Sequence, residues 1–141
     1  MPAVAGLDAK YQPMLERIEK IPAIGHFGLT VTHLEDGVCH AMMPHNKESD
    51  GIFHSYHGGL LATCADMVAC LAIMTQCDPE QGMATTDLNI RYLRPCLTDV
   101  TAKARVIRRG RTLCPVQVDL EDGRGRLVAV AQVAYMLIPT P

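Results

Sequence analysis

The chain has no surplus of charge of either sign: 13 Lys and Arg stand against 15 Asp and Glu, a formal net charge of −2. With a pI near 6.3, this argues against a nucleic-acid or anionic-membrane partner, since either calls for a strong basic excess. No apolar run reaches the roughly 20 residues that a membrane-spanning helix needs. Residues 1–6 lack the charged and apolar regions of a signal peptide. The six cysteines form no CxxC pair, and three of them fall in or at the end of one apolar stretch, where they act as small hydrophobes. The six histidines show no compact HxxxH or HxH spacing with acids, so no metal site is expected. A reduced, cytoplasmic protein fits these absences. Tryptophan is missing and phenylalanine occurs twice, which says little about function. There is no low-complexity tract, linker or internal repeat, and 141 residues are enough for a single core.

What is present centres on residues 57–75, His-Gly-Gly followed by an almost unbroken apolar or small run from Leu60 to Met74. A helix apolar around its whole circumference must be covered on all sides, and at about 15 residues this one is too short to cross a bilayer. The spacing predicts a core helix over 57–76. Asp66 is the anomaly within it, because a buried carboxylate costs several kcal/mol unless it is paired or neutral.

Around this helix the chain predicts strands. Residues 1–10 have no pattern and read as a loose arm. Residues 11–20 read as a short amphipathic helix stopped by Pro22. Residues 26–34 and 38–43 read as strands joined by the Glu35-Asp36-Gly37 turn. Residues 44–56 are polar and irregular. After the helix, 83–93, 100–108, 112–120 and 127–138 read as four more strands, with Pro115 marking a bulge or a sheet edge. The expected architecture is α+β, a six-stranded antiparallel sheet wrapped around one central helix. An N-terminal arm and short helix over 1–24 precede a main domain over 25–141.

Four motifs then come together: His57-Gly58-Gly59 with Asp66 nine residues on, Thr85 to Arg94-Pro95, Arg109-Gly110-Arg111, and Asp122-Gly123 with Arg126 to Ala129. In this combination the chain, over about residues 25–138, resembles the hotdog-fold acyl-CoA thioesterases of the phenylacetate-degradation (PaaI-like) type. The resemblance implies a hotdog homodimer, often paired into a homotetramer, that hydrolyses acyl-CoA at sites on the dimer interface. It needs no cofactor beyond the CoA carried by the substrate. Helix geometry adds its own point: nine residues make 2.5 turns, so His57 and Asp66 face opposite sides of the helix about 13 Å apart along its axis. They cannot build one compact site within a single subunit, whereas two such helices related by a two-fold axis could.

The resemblance gives Asp66 the role of general base or nucleophile, the amide role mainly to Gly59, and the role of holding the water or the acid to Thr85. Helix N-terminal amides suit the oxyanion that forms on a thioester carbonyl. His57 is a further catalytic candidate beside its ordinary role of capping the helix. Family members usually carry Asn or Gln where this chain has Gly51; Asp50, Asn46, Ser55 and above all His54 are the polar substitutes nearby. Arg91, Arg94, Arg109 and Arg111 sit at strand ends, where CoA phosphates would need charged partners. Two other readings stand beside the hydrolase. One is a non-catalytic hotdog module that binds acyl-CoA or only dimerises. The other is a dehydratase or hydratase, whose paired His and acid this pattern lacks.

Overall fold

In the computed structural model, which describes residues 7–139, six strands form one antiparallel sheet. They are β1 (Thr30–Glu35), β2 (Val38–Met43), β3 (Gly82–Tyr92), β4 (Val100–Val106), β5 (Leu113–Glu121) and β6 (Leu127–Ile138), in spatial order β1-β2-β4-β5-β6-β3. Three helices accompany them: α1 (Gln12–Glu19), α2 (Pro22–Phe27) and the long α3 (Gly58–Met74). Helix α3 lies across one face of the sheet and contacts β2 to β6. The expected hotdog architecture is therefore the observed one.

Small residues let helix and sheet approach closely. Cys64, Ala65, Val68, Ala69 and Ala72 of α3 are fully buried, and so are Ala41, Ala102, Ala104 and Ala129 of the strands. One larger side chain at these sealed positions would cost about 1–3 kcal/mol by overpacking. The strands supply the complementary period of two. On β5, Cys114, Val116, Val118 and Leu120 point inward while the residues between them are half-buried.

Helix α3 is not covered all round as its composition suggests. Thr63, Asp66, Met67, Cys70 and Met74 form a half-buried stripe on the side away from the sheet. The N-terminal helices lie near this stripe, with Leu15, Ile18 and Ile24 buried in the same core as α3.

Three local readings are corrected. The strand expected over 26–34 begins only at Thr30, because Pro22 starts α2 rather than only ending α1. Proline at the first helical position loses no hydrogen bond, and Gly28 at φ +67° closes this helix after Phe27. A boundary between 24 and 25 thus falls inside α2, and both segments share one core. The loose arm expected over 1–10 is corrected at its end. Residues 1–6 lie outside the described residues, while Ala9–Tyr11 form a 3-10 turn capped by Asp8, with Tyr11 buried. Finally, β5 is interior, between β4 and β6, so Pro115 marks neither an edge nor a bulge. Its carbonyl accepts from Ile107, just past the end of β4. A strand residue's N–H and C=O point the same way, so the missing N–H falls where the ladder has already stopped.

Candidate active site

Asp66 sits midway along the half-buried stripe of α3. Its Oδ1 accepts hydrogen bonds from Thr85 Oγ1 and from the Tyr135 hydroxyl, each at 2.8 Å. Thr85 and Tyr135 are paired residues of β3 and β6, so one cross-strand pair delivers both donors to one oxygen. Beside Thr85 the ladder shifts register, leaving Thr86 to turn away and donate to Ala134 O at 3.2 Å. Bulges of this kind re-aim side chains. Among the described residues, Asp66 Oδ2 has no hydrogen-bond partner and stays available.

Nearby ionisable groups stay protonated. Burial, then the neighbouring Cys70 and the Asp66 carboxylate, push the Tyr135 hydroxyl far up, so it serves as a donor at any working pH. Burial and the nearby Asp66 also push the Cys70 thiol up to about 11, which removes it as a thiolate nucleophile.

The start of α3 carries the other candidate groups. His57 is the N-cap: its Nδ1 accepts the Gly59 N–H at 2.9 Å, and its carbonyl accepts from Leu60 and Leu61. The Gly59 amide is thereby already engaged. Among the described residues, the Gly58 amide donates to nothing, and it is the one left open at this helix end. Tyr92, at the end of β3, donates to Gly58 O at 2.6 Å and fixes this turn to the sheet. A Cβ at Gly58 would lie 3.1 Å from the Tyr92 ring, which is why glycine suits the position.

His54 lies at an exposed loop tip with φ +60° and makes no hydrogen bond to His57 or Asp66. Asn46 caps a 3-10 turn through Glu48 N, and Asp50 is held by His45 Nε2 at 2.6 Å. None of the three is aimed at Asp66. Gly51 is the better-placed position, since a Cβ there would make ordinary contact with His57 Cδ2 at 3.5 Å.

The four arginines do not form one cluster. Arg91 pairs with Val130 on β6, whereas Leu113, just after the turn bearing Arg109 and Arg111, pairs with Met136. Six strand residues separate the two levels, roughly 20 Å. Arg91 and Arg94 therefore lie at the end of the sheet that carries Gly58. Arg109 and Arg111 lie at the end nearer Asp66. Sequence order alone could not show this split, because it depends on register.

Tyr135 went unread in the sequence. The signal was there: it is the one hydroxyl on the inward side of an otherwise apolar strand, and a buried tyrosine needs a partner for its O–H.

Comparison with known proteins places this geometry in context. Human acyl-coenzyme A thioesterase 13 is 29% identical over 104 residues, covering 72% of this chain and 74% of its own. The Klebsiella pneumoniae proofreading thioesterase EntH is 28% identical over 104 residues, 73% of this chain and 76% of its own. Among solved structures, the Escherichia coli PaaI protein from the phenylacetic acid degradation operon superposes with a TM-score of 0.84. It shares 20% identity, and the match covers 92% of this chain and 94% of that one. The model of the thioesterase superfamily matches residues 53–129, more than half of the sequence. With its hotdog fold, the chain belongs to the thioesterase superfamily, whose chemistry is thioester hydrolysis.

Proposed function

We propose that the protein hydrolyses acyl-CoA thioesters to the free acid and CoA, in a two-fold homodimer and with no cofactor besides the CoA of the substrate. The observation that carries this reading is the double hydroxyl clamp on Asp66 Oδ1. The two donors hold Oδ1 and leave Oδ2 without a hydrogen-bond partner among the described residues. In the reaction, water attacks the thioester carbonyl carbon and Asp66 Oδ2 accepts its proton. The carbonyl oxygen gains charge against the Gly58 amide. The C–S bond then breaks and the proton passes to the CoA sulfur. Direct attack by Oδ2, with water opening the resulting anhydride, uses the same groups.

Within one chain Gly58 and Asp66 are eight residues apart on α3, about 12 Å along its axis. The dimer brings Asp66 of one subunit to Gly58 of the other. Two features support it. Strand β3 is an eleven-residue sheet edge with no neighbour on its outer side among the described residues, and such edges pair. Ile52 and Phe53 stand almost fully exposed in the loop before α3. In that arrangement Arg91 and Arg94 of one subunit would stand with Arg109 and Arg111 of the other, one set for the CoA phosphates. Exposed Leu113, Met136 and Ile138 offer a second apolar face for pairing dimers into a homotetramer.

Free-thiol release from a panel of acyl-CoAs, with light scattering of the same sample, tests this reading. Turnover by a dimer or tetramer is the expected result. A strictly monomeric protein, or one that binds acyl-CoA without turnover, contradicts it. The second outcome would establish the binding-module reading, which Gly51 favours by leaving no amide beside His57.

A further inference from the structure

Resting on the thioesterase reading, we infer that the acyl group taken by this site is an unbranched aliphatic chain of medium length or longer. It lies in a trough between α3 and the N-terminal helix pair. The trough begins at the reactive carboxylate: a cavity of about 270 Å³ has Asp66 and Tyr135 among its lining residues. Its floor is Met67, Leu71 and Met74, which share one face of α3 because they are spaced by four and three residues. Its roof is Ile18, Ile21 and Ile24 of α1, α2 and the turn between them. From Asp66 to Met74 the floor runs about 12 Å along the helix axis, a length that suits an extended alkyl chain.

The trough does not end at Met74. A second cavity of about 510 Å³ shares Arg17, Cys70 and Met74 with the first and adds Met14 and Met83. Methionines occur in both cavities, beside the polar Lys10, Asp78 and Gln81 of the second, and their flexible thioethers adapt to chains of different length. Apart from Asp66, Tyr135 and the exposed Arg17, the first cavity is lined by Ile, Met, Leu and Cys side chains. The Tyr135 hydroxyl is already given to Asp66, and the exposed Arg17 guanidinium is held by the Pro79 carbonyl. A ring hydroxyl lodged among Ile24, Met67 and Leu71 would lose water with no partner in those side chains. A plain alkyl chain loses nothing.

The test is kcat/KM for unbranched acyl-CoAs from two to sixteen carbons, beside an aryl and a hydroxyaryl acyl-CoA. A rise of about fourfold per methylene is expected from apolar burial, levelling once the trough is full, with the hydroxyaryl substrate at least tenfold below the best alkyl one. A flat profile, or preference for the hydroxyaryl substrate, overturns the inference. Ile21→Glu, at the exposed rim, and Met74→Trp, in the floor, should each lower the ten-carbon to four-carbon ratio at least tenfold in a protein with unchanged circular dichroism. An unchanged ratio in both would also overturn it. Dissociation constants for non-hydrolysable thioether analogues of the same series separate the two levels of the argument. Affinity rising with chain length in a protein without turnover keeps the trough and discards the hydrolase. Turnover with affinity indifferent to chain length does the reverse.

Discussion

The Tyr135 hydroxyl lies 2.8 Å from Asp66 Oδ1 and also 2.8 Å from the Asp66 carbonyl oxygen. One phenolic proton is shared between two acceptors on the same residue, joining the last strand to the middle of α3. Burial, Cys70 and the carboxylate keep that proton in place, so the contact is a permanent donor to the carboxylate. Tyr135→Phe removes it with little change of shape and leaves Thr85 as the remaining donor. The loss should cost about 1 kcal/mol of stability, the net worth of one hydrogen bond, and lower kcat roughly tenfold. A lower melting point with unchanged kcat would assign Tyr135 to structure alone.

Gly51 invites the opposite kind of change. It is not among the positive-φ glycines, and an added Cβ would meet His57 only at ordinary contact distance. Gly51→Asn should therefore fold normally and set a carboxamide beside the helix start, where it can polarise the thioester or hold the water. An increase in kcat of a few-fold is the expected outcome in steady-state assays. Unchanged or reduced kcat in the folded variant would show that this loop does not serve the reaction in this chain.

The two arginine pairs call for separate variants. Arg91→Ala with Arg94→Ala, and Arg109→Ala with Arg111→Ala, should each raise KM more than they lower kcat, since contacts to a remote phosphate contribute uniform binding. Both effects should weaken as salt is added. If only one pair matters, the phosphates lie at one end of the sheet and the two-fold arrangement joining both pairs is wrong.

Much of this was legible in sequence. The apolar run from Leu60 to Met74 with its single carboxylate, and the turn-bounded strands around it, pointed to a sheet wrapped round a helix and to Asp66, while Thr85 came from the family resemblance. Other features were hidden for physical reasons. Pro22 can end one helix or begin the next, and only the left-handed Gly28 decides the matter. The arginines look like one group along the chain, yet strand register separates them by the length of the sheet. Tyr135 lies 69 residues from Asp66 and is brought to it by the pairing of β6 with β3. The engagement of Gly59 by His57 is a matter of side-chain rotamer, which no spacing reveals.

Asp66→Asn tests the central claim most directly. The amide keeps the size and removes the base, so kcat should fall at least ~10²-fold, the usual scale for a general base. The thermal midpoint, measured on the same preparation, should hold or rise as a partly buried charge is lost. Retained turnover in a well-folded Asp66→Asn protein would contradict the account.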